Sequence, residues 1–207
     1  MQILEREDGD VVYFPGFFPS PDRDRLLTQV QQTTIWRQET LRMFGKESPI
    51  PRLTSWYGDP GCVYTYSKIV MEPEPWTPAL LEVKARVEER AGVEFNSVLL
   101  NLYRDGHDGV AWHSDDEPEL GLNPVICSVS LGATRRFQFR HKAHKQRAQA
   151  AEGGSASLRR ELDLEHGSVL LMRGSTQRFW QHQVPKTSQA VKPRVNLTFR
   201  TISPSSR

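Results

Sequence analysis

Residues 193–200 read PRVNLTFR, and the side chains of this stretch alternate in character. Successive side chains of an extended strand point to opposite faces. One face is apolar and carries Val195, Leu197 and Phe199. The other is polar and carries Arg194, Asn196, Thr198 and Arg200. We expect the apolar face to pack in the core, so the polar face looks into solvent or into a cavity.

Short strands of this kind recur from about residue 98 to the end of the chain, separated by turn residues. They are VLLNLY (98–103), VAWH (110–113), ICSVSLG (126–132), RRFQFR (135–140), RELDLE (160–165) and GSVLLMRG (167–174). Many short strands at regular spacing indicate an antiparallel sandwich or jelly roll, and not an alternating α/β sheet.

Two earlier segments carry helix start signals, and we expect both to be scaffold helices. In SPDRDRLLTQVQQT (20–33), Ser20 is predicted as the N-cap and Pro21 as the first helical residue. In TPALLEVKARVEERAG (77–92), Thr77 is predicted as the N-cap and Gly92 as the residue that ends the helix.

Composition restricts the class of protein. The 207 residues carry a net charge of +2, too small to indicate a partner, and the mixed charges are typical of a globular chain. Cys62 and Cys127 are far apart in sequence, which fits a reducing compartment better than a disulfide framework. With no signal-peptide pattern and no membrane-length apolar run, we expect an intracellular protein, cytoplasmic in a bacterium or nuclear in a eukaryote.

The stretch WHSDDE (112–117) contains a candidate metal-binding pair. On a strand, His113 and Asp115 would point to the same side. An imidazole and a carboxylate supply two ligands of a 2-His-1-carboxylate triad, which leaves coordination positions open and suits non-haem Fe(II). The alternative is a solvated His–Asp pair in a charged turn.

The third ligand of such a triad must be a later histidine. The candidates are His141, His144, His166 and His182. His141 and His144 lie among Lys and Arg residues, which repel a cation, and His166 lies in a turn pattern. His182 follows an aromatic stretch with no acid nearby, so we favour it.

Two arginines and an asparagine on the polar face of PRVNLTFR are suited to an anion, because guanidinium binds carboxylate through two hydrogen bonds. Asn101 and Tyr103 in NLYRDG alternate in the same way. A metal with open positions beside an anion-binding strand suggests a keto-acid cosubstrate, with an ordinary amphipathic surface strand as the alternative.

Longer stretches of the chain resemble the AlkB family of Fe(II)- and 2-oxoglutarate-dependent dioxygenases. They are NLYRDGHDGVAWHSDDE (101–117), SVSLGATRRFQFRHK (128–142), HGSVLLMRGSTQRFWQHQVP (166–185) and PRVNLTFR. PRLTSWYGDPGCVYTYS (51–67) and PWTP (75–78) are similar to the branch that acts on duplex DNA. The resemblance covers roughly residues 44–202.

The resemblance implies a mainly β, α+β fold with a double-stranded β-helix core, flanked by N-terminal helices and a nucleotide-recognition hairpin region. It also implies reversal of N-alkylation on 1-methyladenine and 3-methylcytosine in DNA. The implied enzyme binds Fe(II), consumes 2-oxoglutarate and O2, and releases formaldehyde and succinate. The implied iron ligands are His113, Asp115 and His182. The implied cosubstrate contacts are Asn101, Tyr103, Arg194, Asn196 and Arg200.

Substrate contacts are also implied by the resemblance. They are Tyr64 and Tyr66 beside a flipped base, Asp116 and Glu117 as acids near it, Arg52 near the strand, and Phe44 as a wedge in the duplex. Flipped bases are read by stacking and edge hydrogen bonds. Carboxylates also favour the positive charge of these methylated bases.

The basic run RRFQFRHKAHKQR (135–147) contains many Arg and Lys residues and no acid. We expect a phosphate-backbone contact through Arg140, Lys142, Lys145 and Arg147. The alternative is a solubilising surface loop. Residues 148–157 are predicted to be a small-residue, mobile loop between two strands.

We expect one structural unit with two parts. Residues 1–97 would form the N-terminal and nucleotide-recognition region, and residues 98–207 the catalytic core. The expected partner is alkylated DNA, single- or double-stranded, or RNA, with no membrane contact and a monomeric protein. Rival functions are an oxygenase acting on RNA or protein side chains, and a nucleic-acid-binding module without catalysis.

Overall fold

The computed structural model describes residues 1–5, 8–43, 46–66, 69–143 and 158–203. In this part of the chain, most strands belong to two antiparallel sheets, which we call the major and the minor sheet. Strands from before residue 98 also belong to the larger of these sheets.

Seven strands of the described ranges form the major sheet. In spatial order they are β1 (Gln2–Glu5), β2 (Asp10–Phe14), β13 (Ser168–Arg173), β10 (Ile126–Gly132), β15 (Arg194–Arg200), β8 (Ser97–Tyr103) and β5 (Leu53–Gly58). The last strand in sequence, β15, lies between β10 and β8. The alternating stretch PRVNLTFR is therefore an interior strand of the sheet.

The minor sheet contains four strands within the described residues. In spatial order they are β12 (Arg159–Leu164), β11 (Arg135–His141), β14 (Trp180–Val184) and β9 (Val110–His113). Two hairpins lie outside both sheets: β3 (Thr40–Met43) with β4 (Lys46–Pro49), and β6 (Tyr64–Tyr66) with β7 (Ile69–Met71).

Helices and sheets are stacked in layers around two large apolar cores, and a smaller cluster joins Trp56, Leu99, Leu120 and Ile202. The helices are α1 (Asp22–Thr33), α2 (Pro78–Ala91) and the short α3 (Thr176–Phe179), with a 3₁₀ turn at Pro118–Leu120. Val195, Leu197 and Phe199 pack in the same core as buried residues of α1 and α2, which confirms the predicted apolar face of β15. A second core joins Ile126 and Leu170 of the major sheet to Phe137 and Phe139 of the minor sheet.

The two antiparallel sheets, packed face to face, confirm the predicted double-stranded β-helix core with flanking N-terminal helices. The division expected after residue 97 falls inside β8. Strands from both sides of it, such as β5 and β8, pair in the major sheet. Over the described ranges, no helix has the length and apolar character needed to cross a bilayer.

The two predicted helix starts have different outcomes. For α2 the prediction is confirmed, because the Thr77 side chain accepts a hydrogen bond from the Leu80 N–H and Gly92 ends the helix in a left-handed conformation. For α1 the predicted Ser20 cap is wrong, since Pro21 occupies the cap position without a side-chain hydrogen bond. The Ser20 hydroxyl instead donates to Asp24.

This difference predicts unequal effects of two similar substitutions. Thr77→Ala removes a cap acceptor and should lower the free energy of unfolding by about 1 kcal/mol. Ser20→Ala removes only an exposed side-chain contact and should change it by no more than a few tenths of a kcal/mol. Urea unfolding of both variants measures these changes. Equal losses for the two would mean that the Thr77 cap does not stabilise α2.

Candidate active site

A cavity opens between the two sheets, and its wall is built by both. The polar face of β15 looks into this cavity and not into solvent. The lining residues are Arg52, Leu99, Asn101, Tyr103, Val110, His113, Asp115, Ser128, Phe137, Met172, His182, Val184, Arg194, Asn196, Thr198 and Arg200. Buried polar and charged side chains in such number need partners, so the cavity is a candidate ligand site.

Three of the lining side chains form a cluster suited to a metal ion. β14 pairs with β9 so that His182 lies directly opposite His113. His113 Nε2 lies 3.8 Å from Asp115 Oδ1, and His182 Nε2 lies 3.7 Å from Asp115 Oδ2. One nitrogen or oxygen from each residue lies within 4.8 Å of those of the others. Two imidazoles and one carboxylate at this spacing are the donor set of an Fe(II) facial triad.

Asp115 reaches the cluster by a different route from the one predicted. β9 ends at His113, so Asp115 lies beyond the strand and its direction is not set by strand alternation. Its backbone N–H instead donates to Gln177 Oε1 at 2.9 Å, and its Oδ1 accepts from Arg200 Nη2 at 2.7 Å. Strand alternation therefore does not bring His113 and Asp115 together, although the two side chains do meet.

The electrostatics of the cluster favour the forms that bind cations. Burial raises the pKa of Asp115, but Arg200, His182 and His113 together outweigh it and hold that pKa below its usual value. Burial lowers the pKa of His182 to about 3. The neighbouring His113 also lowers this pKa, and Asp115 raises it by less than the other two effects lower it. At neutral pH the cluster thus presents a carboxylate and a neutral His182, and metal binding requires both forms.

His113 is held by its other ring nitrogen. Nδ1 lies 2.8 Å from the Ala111 carbonyl oxygen, which fits a Nδ1–H donor and leaves the Nε2 lone pair directed at Asp115 and the cluster. A hydrogen bond of this kind fixes the tautomer and ring orientation of a metal-binding histidine.

The far end of the polar face carries a buried charge with spare hydrogen-bond donors. The Arg194 side chain is fully buried, and its Nη2 donates to Ser130 Oγ at 2.8 Å. Its Nε and Nη1 donate to no partner in the described part of the chain, and no carboxylate there forms an ion pair with it. Burial lowers the pKa of Arg194 to about 10, so the group stays cationic at neutral pH. A bound carboxylate would satisfy both free donors, as the distal carboxylate of 2-oxoglutarate would.

The other predicted cosubstrate residues line the same cavity as this arginine and the cluster. Arg194 pairs with Tyr103 across the β15–β8 ladder, and its guanidinium carbon lies 5.2 Å from the Tyr103 ring centroid. Asn196 pairs with Asn101 on the same ladder. Together with Arg200, which contacts Asp115, these side chains line the cavity that contains both Arg194 and the metal-type cluster.

Arg52 lies in the cavity wall. Its side chain is buried, Nε donates to Asn101 Oδ1 at 2.7 Å, and Nη1 lies 3.5 Å from the Gly109 carbonyl oxygen. Arg52 therefore lies beside a predicted cosubstrate residue, and its predicted place near the bound nucleic-acid strand stays a prediction.

Of the predicted substrate-side acids and phosphate contacts, the structure describes Asp116, Glu117, Arg140 and Lys142. Asp116 is exposed and forms an ion pair with Lys142 at 3.2 Å, while Glu117 is half-buried. The Arg140 guanidinium lies 4.3 Å from the Trp112 ring centroid. Phe44, Lys145, Arg147, the side chains of Tyr64 and Tyr66, and the loop 148–157 lie outside the described residues.

Sequence reasoning did not single out two buried polar residues that lie against the site, Arg135 beside the Tyr103 ring and Gln177 beside Asp115. Arg135, the first residue of the basic run, is buried and donates to the carbonyl oxygens of Asp105, Asp108 and Pro185. The alternation of RRFQFRH predicts this, because Arg135 shares the inward face of β11 with two phenylalanines. Gln177 gave no comparable signal, since it lies in a short helical turn.

The remaining described histidines have other partners. His141 Nε2 lies 3.2 Å from Asp8 Oδ2, and His166 Nε2 lies 3.1 Å from Asp24 Oδ1. Neither belongs to the metal-type cluster of His113, Asp115 and His182. Their exclusion as ligands on sequence grounds agrees with this geometry, whereas His144 lies outside the described residues.

The lowered pKa of His182 predicts a pH-dependent stability of the metal-free protein. In the unfolded chain His182 binds a proton near its ordinary pKa of 6.5, but in the folded protein only near pH 3. Between these values the unfolded state holds more protons, so the free energy of unfolding should fall as pH drops below about 6.5.

Urea unfolding between about pH 7 and about pH 4.5 measures this slope. His182→Gln should make it shallower. The control is His107→Gln, which replaces a histidine whose side chain is 90% exposed and should leave the slope unchanged. A parental slope in the His182 variant would contradict the buried neutral imidazole.

Comparison with known proteins agrees with the geometry. The sequence profile of the 2OG-Fe(II) oxygenase superfamily matches residues 10–200. The human protein named alpha-ketoglutarate-dependent dioxygenase alkB homolog 3 is 46% identical over 200 residues, which cover 95% of this chain and 68% of that protein. Human DNA oxidative demethylase ALKBH2 is 43% identical over 200 residues, which cover 95% of this chain and 75% of that protein.

Among solved structures, that of OsALKBH1 matches with a TM-score of 0.62 over 92% of this chain and 97% of the other. At 17% identity this likeness concerns the fold alone. The family profile and the sequence relatives show the family as well as the fold, because they match nearly the whole chain. This chain therefore belongs to the AlkB family of Fe(II)- and 2-oxoglutarate-dependent dioxygenases.

Proposed function

We propose that this protein removes alkyl groups from N-alkylated nucleobases in DNA, with 1-methyladenine and 3-methylcytosine as substrates. The observation that carries the proposal is the His113, Asp115 and His182 cluster in one cavity with the buried cation Arg194. A relative 43% identical to this chain bears the name DNA oxidative demethylase, which supports the substrate class.

In the proposed reaction, His113, Asp115 and His182 bind Fe(II). Arg194 binds the distal carboxylate of 2-oxoglutarate, and Asn101, Tyr103, Asn196 and Arg200 line the rest of its site. When bound, Fe(II) and 2-oxoglutarate supply oxidation by O2, so that the N-methyl carbon leaves as formaldehyde while succinate and CO2 form.

The protein's own side chains orient and shield this chemistry. Arg200 donates to Asp115 and so keeps one carboxylate oxygen occupied, which restricts how the carboxylate can turn. Phe137, Met172 and Val184 make the cavity wall apolar beside the cluster. Apolar walls exclude water and strengthen the electrostatic interactions inside the site.

We further propose that Tyr64, Tyr66, Asp116 and Glu117 contact the target base, and that Arg52, beside Asn101, approaches it from the cavity wall. Arg140, Lys142, Lys145 and Arg147 would contact the phosphate backbone, and Phe44 would fill the gap left by a flipped base. Asp116 already has a cationic partner in Lys142, so a cationic base would compete with that lysine for the carboxylate.

Mass spectrometry of oligonucleotides tests the proposal directly. We expect the protein, given Fe(II), 2-oxoglutarate and O2, to convert 1-methyladenine in DNA to adenine, with one formaldehyde for each base repaired. RNA of the same sequence and a protein extract serve as rival substrates. Faster turnover of RNA, or hydroxylation of protein alone, would replace the DNA assignment.

Asp115→Ala provides the matched control, because it removes the carboxylate of the triad. Two imidazoles alone hold Fe(II) poorly, so repair should be lost. Repair within a few-fold of the parent in this variant would contradict the proposed ligand set.

A further inference from the structure

The segment 114–116 follows β9 and is not part of a strand, so separate contacts must hold it in place. The Ser114 hydroxyl donates to the Trp180 carbonyl oxygen at 2.9 Å. The Asp115 backbone N–H donates to Gln177 Oε1 at 2.9 Å. Asp116 is paired with Lys142. Of these contacts, the one to Gln177 acts on the backbone of the acidic member of the cluster.

Gln177 is itself firmly held. It belongs to α3, and its side chain is 2% exposed. Its amide nitrogen donates to the Met172 sulfur at 3.5 Å, which turns Oε1 toward Asp115. The backbone carbonyl oxygen of Gln177 accepts from Lys142 Nζ at 3.0 Å. A buried amide fixed at both ends is a rigid support for the residue that it contacts.

Two independent contacts therefore determine where the Asp115 carboxylate lies. Arg200 holds Oδ1 at 2.7 Å, and Gln177 holds the main chain of the same residue. With Arg200 alone, Cα could move and the carboxylate could rotate about its bond to Arg200. Oδ2 would then leave its place 3.7 Å from His182 Nε2. Metal ligands tolerate displacements of only about 0.5 Å.

We infer that Gln177 is a positioning residue for the metal centre: through the Asp115 backbone it sets the geometry in which His113, Asp115 and His182 bind the metal. It does not touch the metal or the substrate. This inference rests on the proposed function, because it takes the three residues as the metal ligands.

The test measures binding of Mn(II), as a redox-stable substitute for Fe(II), to the full chain by the loss of the free-ion EPR signal. Gln177→Met keeps the length of the side chain but removes the acceptor oxygen. We expect its Mn(II) affinity to be about 10- to 100-fold weaker, the usual effect of losing a group that orients a ligand. Gln177→Glu retains an acceptor oxygen and should bind Mn(II) at least several-fold more tightly than Gln177→Met.

The matched control is Ser114→Ala, which removes a hydrogen bond from the same segment without changing the one to Asp115 N–H. It should bind Mn(II) within about twofold of the parent, a change near the noise of such titrations. A Gln177→Met variant with parental affinity would overturn the inference, as would an equal loss in Ser114→Ala.

Two further variants keep the outcome decisive. If circular dichroism shows that Gln177→Met is unfolded, Gln177→Asn decides, because it keeps the amide but withdraws the acceptor by one methylene. Parental Mn(II) affinity in folded Gln177→Asn would overturn the inference. Asp115→Ala separates this inference from the proposed function. If this variant binds Mn(II) as tightly as the parent, the proposed ligand set itself is wrong. If it loses Mn(II) but Gln177→Met does not, only the role of Gln177 is wrong.

Discussion

Arg194 carries a positive charge in an interior strand of the major sheet, where its side chain is fully buried. Moving a charged group out of water is costly unless a partner of opposite charge is supplied. Within the described residues, Ser130 is a hydrogen-bond partner but no carboxylate is. The neighbouring strands β8 and β10 enclose this charge, and a bound carboxylate is the partner that would compensate it.

The metal-type cluster depends on the same strands. Arg200 lies on the same face of β15 as Arg194 and contacts Asp115, so one strand connects the buried charge of Arg194 with the metal-type cluster. The pairing of β14 with β9 places His182 opposite His113. The jelly-roll topology thus supplies two ligands through strand register and holds the third through side-chain contacts.

Much of this site could be predicted from the sequence, because it depends on strand alternation. The alternation in PRVNLTFR predicts that Arg194 and Arg200 lie on the face opposite the apolar residues. In the structure the apolar residues pack in the core, and the two arginines line the cavity. The choice of His182 rested on the absence of competing partners, and it lies opposite His113. The family resemblance, confirmed by the comparisons, added the cofactors.

What sequence reasoning missed depends on tertiary contacts that alternation does not encode. Asp115 lies past the end of β9, where its backbone N–H donates a hydrogen bond to Gln177, a residue distant in sequence. Arg52 is buried and donates to Asn101, a contact for which the sequence gave no signal. Ser20 precedes a helix but donates to Asp24. Each case is decided by a partner whose proximity only the folded chain provides.

The most direct test of this account compares two keto acids with the same metal-chelating end. 2-Oxoglutarate has a distal carboxylate that can pair with Arg194, and 2-oxobutyrate lacks it. Calorimetry on the Mn(II)-loaded protein should show 2-oxoglutarate binding tighter by about tenfold or more, since a charge-assisted hydrogen bond contributes roughly 1.5–3 kcal/mol. Equal affinities for the two acids would contradict the account, because the buried charge of Arg194 would then not be the carboxylate partner.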